Sequence, residues 1–324
     1  MRRASLVALL AILGPLAAAP PKRAPKAEAP AANEGRWQKA EQIKAEVQVD
    51  GKVLKGQHRL LVYLPFGYDD PAHKDKVWPV AVALAGWNHP AEFWRDQSGI
   101  AKLADTYGIV VACPEMGQTI YETRFFKETT RPWGPVPGLP WLLQAVLPYV
   151  RSHYRVKPGP EGAGILGYST GGRGALVAVQ AGAPFAFCGS LSGTYDLPTL
   201  IPRTGEYKIH AYVYGEKSAF PARWAEESSQ DEKRVGPLRK TYLYVAHGLK
   251  DKVVDPGQAS RWRDFMAAQH LPGRVELDAS GGHDWAFWNR KLPELFGEMD
   301  KVFRGGAVGR LPEARPEANC TDCH

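Results

Sequence analysis

Gly164-Ile165-Leu166-Gly167-Tyr168-Ser169-Thr170-Gly171-Gly172 contains a G-x-S-x-G pattern with Ser169 at its centre. An apolar, β-rich run precedes it and a small-residue helical run, Ala175 to Ala181, follows. Strand, tight turn and helix in that order hold a serine hydroxyl out above a sheet, and the glycines let the strand and helix approach closely. The same letters also suit a glycine-rich turn that happens to carry a serine. A serine hydroxyl is a poor nucleophile at neutral pH, so it needs a base in hydrogen-bond reach and an acid to orient that base. His283 is the best base, because Gly281 and Gly282 let its loop turn and present the ring. Asp251 is the best acid, with Asp196, Asp255 and Asp284 as competitors. Asp284 adjoins His283 and reaches the far ring nitrogen with difficulty; Asp255 reads as a helix N-cap before Pro256. His247 closes a strand and reads as structural, while His89 either touches substrate or packs at the surface. A developing oxyanion needs two backbone donors. Thr170 N–H is one, and the Ala85-Gly86-Trp87-Asn88 loop offers Trp87 N–H as the other, with Gly86 permitting close approach.

These residues need a frame. Glu46–Gly51 and His58–Leu64 alternate in polarity and predict an antiparallel pair at a sheet edge, turning around Gly51 and Gly56. Trp78–Gly86, Gly108–Pro114, Gly162–Leu166, Phe185–Leu191 and Thr241–Ala246 read as buried strands, with Arg274–Asp278 as the last and Lys208–Tyr214 as a further short one. Glu92–Tyr107, Leu139–Tyr154, Pro256–His270 and Pro293–Phe303 read as helices. Alternation of this kind implies an α/β fold with a mostly parallel central sheet and helices on both faces. Sites in such sheets lie at the carboxyl ends of strands, where Ser169, Asp251 and His283 each fall. Residues 117–138 read as an irregular loop and 216–236 as a charged surface excursion, both bordering the cleft.

The chain has 324 residues, 44% of them hydrophobic, which suits one large domain plus ends. The net charge of +7 is scattered, so no nucleic-acid surface is expected. Met1-Arg2-Arg3, the apolar Leu6–Leu16 and Ala17-Ala18-Ala19 make residues 1–19 a signal peptide, and the protein periplasmic or extracellular. The apolar run is short for a membrane span, so no stable span is expected after cleavage. Residues 20–44 read as a disordered Pro/Ala/Lys-rich linker. Cys113 and Cys188 read as buried free thiols.

The blocks Gly167-Tyr168-Ser169-Thr170-Gly171-Gly172, His247-Gly248-x-x-Asp251 with Val253-Val254, and Gly282-His283-Asp284-Trp285-x-x-Trp288 resemble the α/β-hydrolases. They look most like the esterase D and feruloyl-esterase branch, which is similar to polyhydroxybutyrate depolymerases and to secreted peptidase-like hydrolases. The resemblance covers roughly residues 45–303. It implies a serine esterase with Ser169 as nucleophile, His283 as base, Asp251 as acid, and Thr170 and Trp87 as oxyanion donors. Gly86, Tyr168 and Trp285 are expected at the substrate, a small-molecule or polymeric ester, and no cofactor is required. The chain departs from its relatives at Ala85, where they often carry His before the Gly. A serine peptidase of the same fold and a non-catalytic binding protein are the rival readings.

Residues 304–324 read as a flexible tail ending in Cys320-Thr321-Asp322-Cys323-His324, the C-x-x-C-H pattern of covalent c-type haem attachment. A local disulfide, a metal-binding tail and a chance pattern compete with that reading.

Overall fold

The structure, a computed structural model, describes residues 34–126 and 134–305. The expected signal peptide, most of the linker and the Cys320, Cys323 and His324 motif lie outside the described residues. The ordered fold begins ahead of residue 45, with β1 (Arg36–Trp37) and β2 (Glu41–Val49). The hairpin from β2 to β3 (Lys52–Leu64) turns at Asp50 and Gly51, both with positive φ, as a two-residue primed turn requires. Gly56 is not in the turn. It lies inside β3 opposite Ala45, where a Cβ would stand 2.5 Å from the Trp141 ring.

Then follow β4 (Val80–Leu84), α1 (Glu92–Gln97), α2 (Ile100–Tyr107) and β5 (Val110–Pro114). Next come α3 (Gly138–Trp141), a π-helical stretch over Leu142–Val146, α4 (Leu147–His153), β6 (Ala163–Tyr168), α5 (Thr170–Gln180) and β7 (Phe187–Leu191). The chain ends through α6 (Gly205–Tyr214), α7 (Pro221–Glu226), β8 (Tyr242–Gly248), α8 (Gly257–Ala268), β9 (Gly273–Asp278) and α9 (Trp285–Phe303). The sheet order is β1-β3-β5-β4-β6-β7-β8-β9, with β2 also on β3. Pairings from β5 through β9 are parallel, and those of β3 are antiparallel.

Strand alternation divides the core in two. Val80, Val82 and Leu84 face α5, α8 and the α3–α4 segment, with Val177 and Trp262 beneath them. Ala81, Ala83 and Ala85 face α1, α2 and α9, with Trp94, Leu295 and Phe296. Both faces are covered, which is why these strands are apolar throughout. Cys113 and Cys188 are buried free thiols on the strands, as expected. A third cluster, including Leu197, Tyr207, Tyr214 and Trp224, sits under the excursion between β7 and β8. Among the described residues no helix is long and apolar enough to cross a membrane.

Three expected elements differ. Lys208–Tyr214 is helix, not strand: Thr204 caps it by accepting from Tyr207 N–H, and Tyr207, His210, Val213 and Tyr214 bury at helical spacing. The expected helix over Glu92–Tyr107 breaks at Ser98, whose hydroxyl donates to the Trp94 carbonyl and accepts from Ile100 N–H; Gly99 N–H turns away to Asn289. The last helix starts eight residues before Pro293, because Asp284 accepts from Phe287 N–H and caps it directly after His283.

Candidate active site

β6 delivers Ser169 into a sharp turn with φ 57° and ψ −127°, left-handed territory that a non-glycine residue occupies at a cost of about 1–3 kcal/mol. Its N–H is tied to the Leu191 carbonyl at 2.8 Å, which anchors the turn to β7. The flanking glycines are sterically required. A Cβ on Gly167 would lie 2.3 Å from the Gly171 carbonyl oxygen, and one on Gly171 would lie 2.3 Å from that of Leu84. Thr170 opens α5, so its N–H is among the first-turn amides with no partner inside the helix, and it points positive charge toward the site.

The loops after β8 and β9 bring in the other two groups. Gly248 and Gly281 meet so closely that a Cβ on Gly248 would stand 2.3 Å from the Gly281 backbone, and Lys250 N–H donates to the Gly281 carbonyl. This seam sets His283 between its partners. Nε2 lies 3.0 Å from Ser169 Oγ, and Nδ1 lies 2.7 Å from Asp251 Oδ2. The ring packs edge-on against Trp288. Asp251 Oδ1 accepts the Val253 and Val254 N–H groups. Burial pushes the Asp251 carboxyl up, but hydrogen bonds from His247 and His283 outweigh it and hold it well below the usual carboxylate range.

The other acids are engaged elsewhere. Asp196 pairs with Arg261 at 2.9 Å, Asp255 accepts from Gly257 N–H, and Asp284 caps α9. His247, in contrast, does more than close its strand. It is fully buried, with Nε2 3.2 Å from Asp251 Oδ2, and its Nδ1 has no partner. A proton on Nε2 reaches the same oxygen that His283 uses, with the Val254 carbonyl also 3.2 Å away. The i, i+4 spacing in His247-Gly-x-x-Asp251 was the available signal. We expect His247→Leu to lower kcat about 10- to 100-fold, the worth of a hydrogen bond to a charged acceptor of about 1.5–3 kcal/mol. KM should change far less, and His247→Gln, which keeps a donor, should recover much of the loss; steady-state kinetics on the three proteins checks this.

Tyr168 and Trp285 do not line the cavity at Ser169. Tyr168 is fully buried among Trp94, Trp285, Trp288 and His89, and its hydroxyl lies 3.0 Å from His89 Nδ1. Burial pushes that phenol up, against the opposing hydrogen bond from the Gly86 backbone, so it stays protonated. Its role is to brace the Gly86–Trp87 loop from beneath. A Cβ on Gly86 would meet the Tyr168 ring at 2.9 Å and Ser169 Cβ at 3.2 Å, so glycine is what lets the loop reach the serine; Gly86 itself is absent from the cavity lining. Burial, with His283 nearby, pushes His89 below its ordinary range and keeps it neutral.

The cavity at Ser169 measures about 560 Å³. Trp87 and Thr170 line it with Ser169, while α6, the Thr199–Thr204 loop and the loop after β8 supply most of the rest, joined by Thr194 and by Gln258 of α8. The expected borders at 117–138 and 216–236 are therefore corrected: the described part of neither lines it. The excursion instead props α6 through Trp224, whose indole donates to the Gly215 carbonyl. Buried Arg173 of α5 joins both segments by donating to the carbonyls of Ile120 and Glu227.

A mostly parallel, doubly wound sheet with a serine, a histidine and an aspartate relayed at the carboxyl ends of its strands defines an α/β-hydrolase of the serine-hydrolase type. The chain belongs to the esterase family described as "Putative esterase", which matches residues 51–299. Diacylglycerol acyltransferase/mycolyltransferase Ag85A of Mycobacterium gordonae is 27% identical, over 71% of this chain and 71% of its own length. A ferulic acid esterase structure matches with a TM-score of 0.62 at 19% identity, covering 83% of this chain and 99% of that one. The S-formylglutathione hydrolase from Agrobacterium tumefaciens gives a TM-score of 0.62 at 17% identity, covering 82% of this chain and 96% of that one. These two structural likenesses establish the fold. The protein is an α/β-hydrolase-fold enzyme acting on esters.

Proposed function

We propose that the protein cleaves small carboxylic esters through an acyl-enzyme on Ser169. The observation that carries this is the unbroken relay from Ser169 Oγ to His283 to Asp251, at 3.0 and 2.7 Å, on a serine held at positive φ. Ser169 Oγ attacks the ester carbonyl carbon as His283 Nε2 takes its proton. The oxyanion is received by the N–H groups of Thr170 and Trp87. The alcohol departs with the proton from His283, and a water then attacks the acyl-enzyme by the same route. The acyl group does not carry over from the relatives, whose names span ferulic acid, formylglutathione and diacylglycerol. Export through residues 1–19 belongs to the same reading and rests on their basic, apolar and small-residue order.

A fluorophosphonate probe tests the chemistry. The folded protein should be labelled stoichiometrically, and peptide mass spectrometry should place the adduct on Ser169. A folded protein that resists the probe, or carries it elsewhere, overturns the proposal.

A further inference from the structure

The cavity at Ser169 holds a carboxyl group that the relay does not use. Glu206, in the first turn of α6, lines it together with Trp87, Thr170 and Ser169, yet is only 6% exposed. Its neighbours on the wall are committed to the fold. Gln258 serves the backbone of Tyr195 and Asp196 with both ends of its amide, Thr204 caps α6, and Thr199 is bonded to Asp196, Gln258 and Arg261. Glu206 has capacity left. A carboxylate offers about four acceptor sites. Thr194 Oγ1 donates to Oε1, and Asp255 N–H gives a second bond. Leu200, Ile209 and Val254 make the nearby walls apolar. Acceptor sites left over on a carboxyl in such surroundings favour a ligand that supplies a donor.

We propose that Glu206 selects esters whose portion seated in this cavity ends in a hydroxyl group, which donates to its free oxygen sites. The inference rests on the reading of Ser169 as nucleophile, since that places the ester in the cavity. A neutral donor fits better than a cation. Asp251 and Asp255 are the charged groups that face Glu206 from the loop after β8, and both are already partnered, by the histidines and by Arg261 of α8. Lys252 stands at the outer lip and repels a cation. His210, one turn along α6, bonds the Glu206 carbonyl rather than its carboxyl. An ammonium buried there loses its hydration and finds neighbouring carboxylates already paired. Burial raises the Glu206 carboxyl to about 7, so it gains charge between pH 6 and 8. The ionised form accepts the stronger hydrogen bond.

The test compares matched esters in which a terminal hydroxyl replaces a methyl group. p-Nitrophenyl 6-hydroxyhexanoate is set against the heptanoate for the acyl side, and 4-hydroxybutyl acetate against pentyl acetate for the alcohol side. In the native protein one pair should show a kcat/KM ratio of about tenfold for the hydroxyl at pH 8, one buried hydrogen bond's worth, and a smaller ratio at pH 6. Glu206→Leu should reverse the preference. Glu206→Gln should hold a reduced ratio that no longer varies with pH, and it decides the matter if the leucine variant fails to fold. Ratios taken within each protein cancel any general loss of activity. Native ratios within twofold of unity for both pairs overturn the role of Glu206, as does a ratio unchanged by substitution. Stronger preference for p-nitrophenyl 6-aminohexanoate over the hydroxyl ester also overturns it. Fluorophosphonate labelling separates the two readings: a labelled enzyme with flat ratios loses only Glu206, whereas an unlabelled, inactive one loses both.

Discussion

Ser169→Ala should reduce kcat about 10⁵- to 10⁶-fold and leave the fold intact. In the proposed mechanism the hydroxyl is the atom that attacks, and among the described residues no other serine stands in its place: the buried serines Ser190 and Ser192 lie on the strand and turn behind the elbow. Alanine fills the same space. It carries the same unfavourable backbone at φ 57°, because the N–H bond to Leu191 and the walls around Gly167 and Gly171 still impose the turn. Thermal unfolding should therefore shift little, and ester binding should persist while turnover vanishes. His283→Ala should cost a similar factor, and the double variant little more, because base and nucleophile act as one unit. A Ser169→Ala protein that retains a tenth of native turnover would place the chemistry elsewhere.

Asp251→Asn should cost about 10⁴-fold in kcat, through the tautomer of His283. Oδ1 of Asp251 accepts two backbone N–H groups, from Val253 and Val254, so an asparagine must turn its carbonyl oxygen to that side. Its amide nitrogen then faces both His283 and His247, where both rings now find a donor and not an acceptor. His283 can meet it only by leaving Nδ1 bare and carrying its proton on Nε2, the nitrogen that must receive the proton of Ser169. Asp196→Asn is the control. It breaks a part-exposed pair with Arg261, worth under about 1 kcal/mol, and kcat should stay within about threefold. Rates for the two variants at one pH distinguish the acids, and a larger loss at Asp196 would overturn the assignment. Acidification should act through the same carboxylate. Its folded value lies below its unfolded one, so its contribution to stability is complete above the ordinary carboxylate range and fades as pH falls toward the depressed value.

Much of this site could be read from local sequence. The elbow is legible because its constraints are between neighbours: Gly167, Ser169 and Gly171 lie within five residues, and the close contacts forbidding side chains there are made at the crossing they create. The strands are legible because burial on both faces demands unbroken apolar runs. His283 and Asp251 declare themselves by residue type at the ends of such runs. What failed to show was set by contacts across long stretches of chain. The helix over Gly205–Tyr214 reads as alternating until the side it buries is known, and that side is decided by packing against Leu197 and Trp224. Ser98 breaks a helix because Asn289, on α9, is there to take the Gly99 amide.

Roles divided along the same line. The sequence by itself determined the fold class, the Ser169 turn and the residue types able to form the relay, since these follow from backbone sterics and strand burial. Only the tertiary structure decided that His247 supports Asp251, that Tyr168 braces the Gly86 loop instead of meeting substrate, and that Glu206 stands in the cavity. The physical reason is that a side chain's chemistry depends on what surrounds it. The partners of these three residues are Asp251, His89 with Trp288, and Asp255 with Thr194, and folding, not chain order, brings most of them within reach.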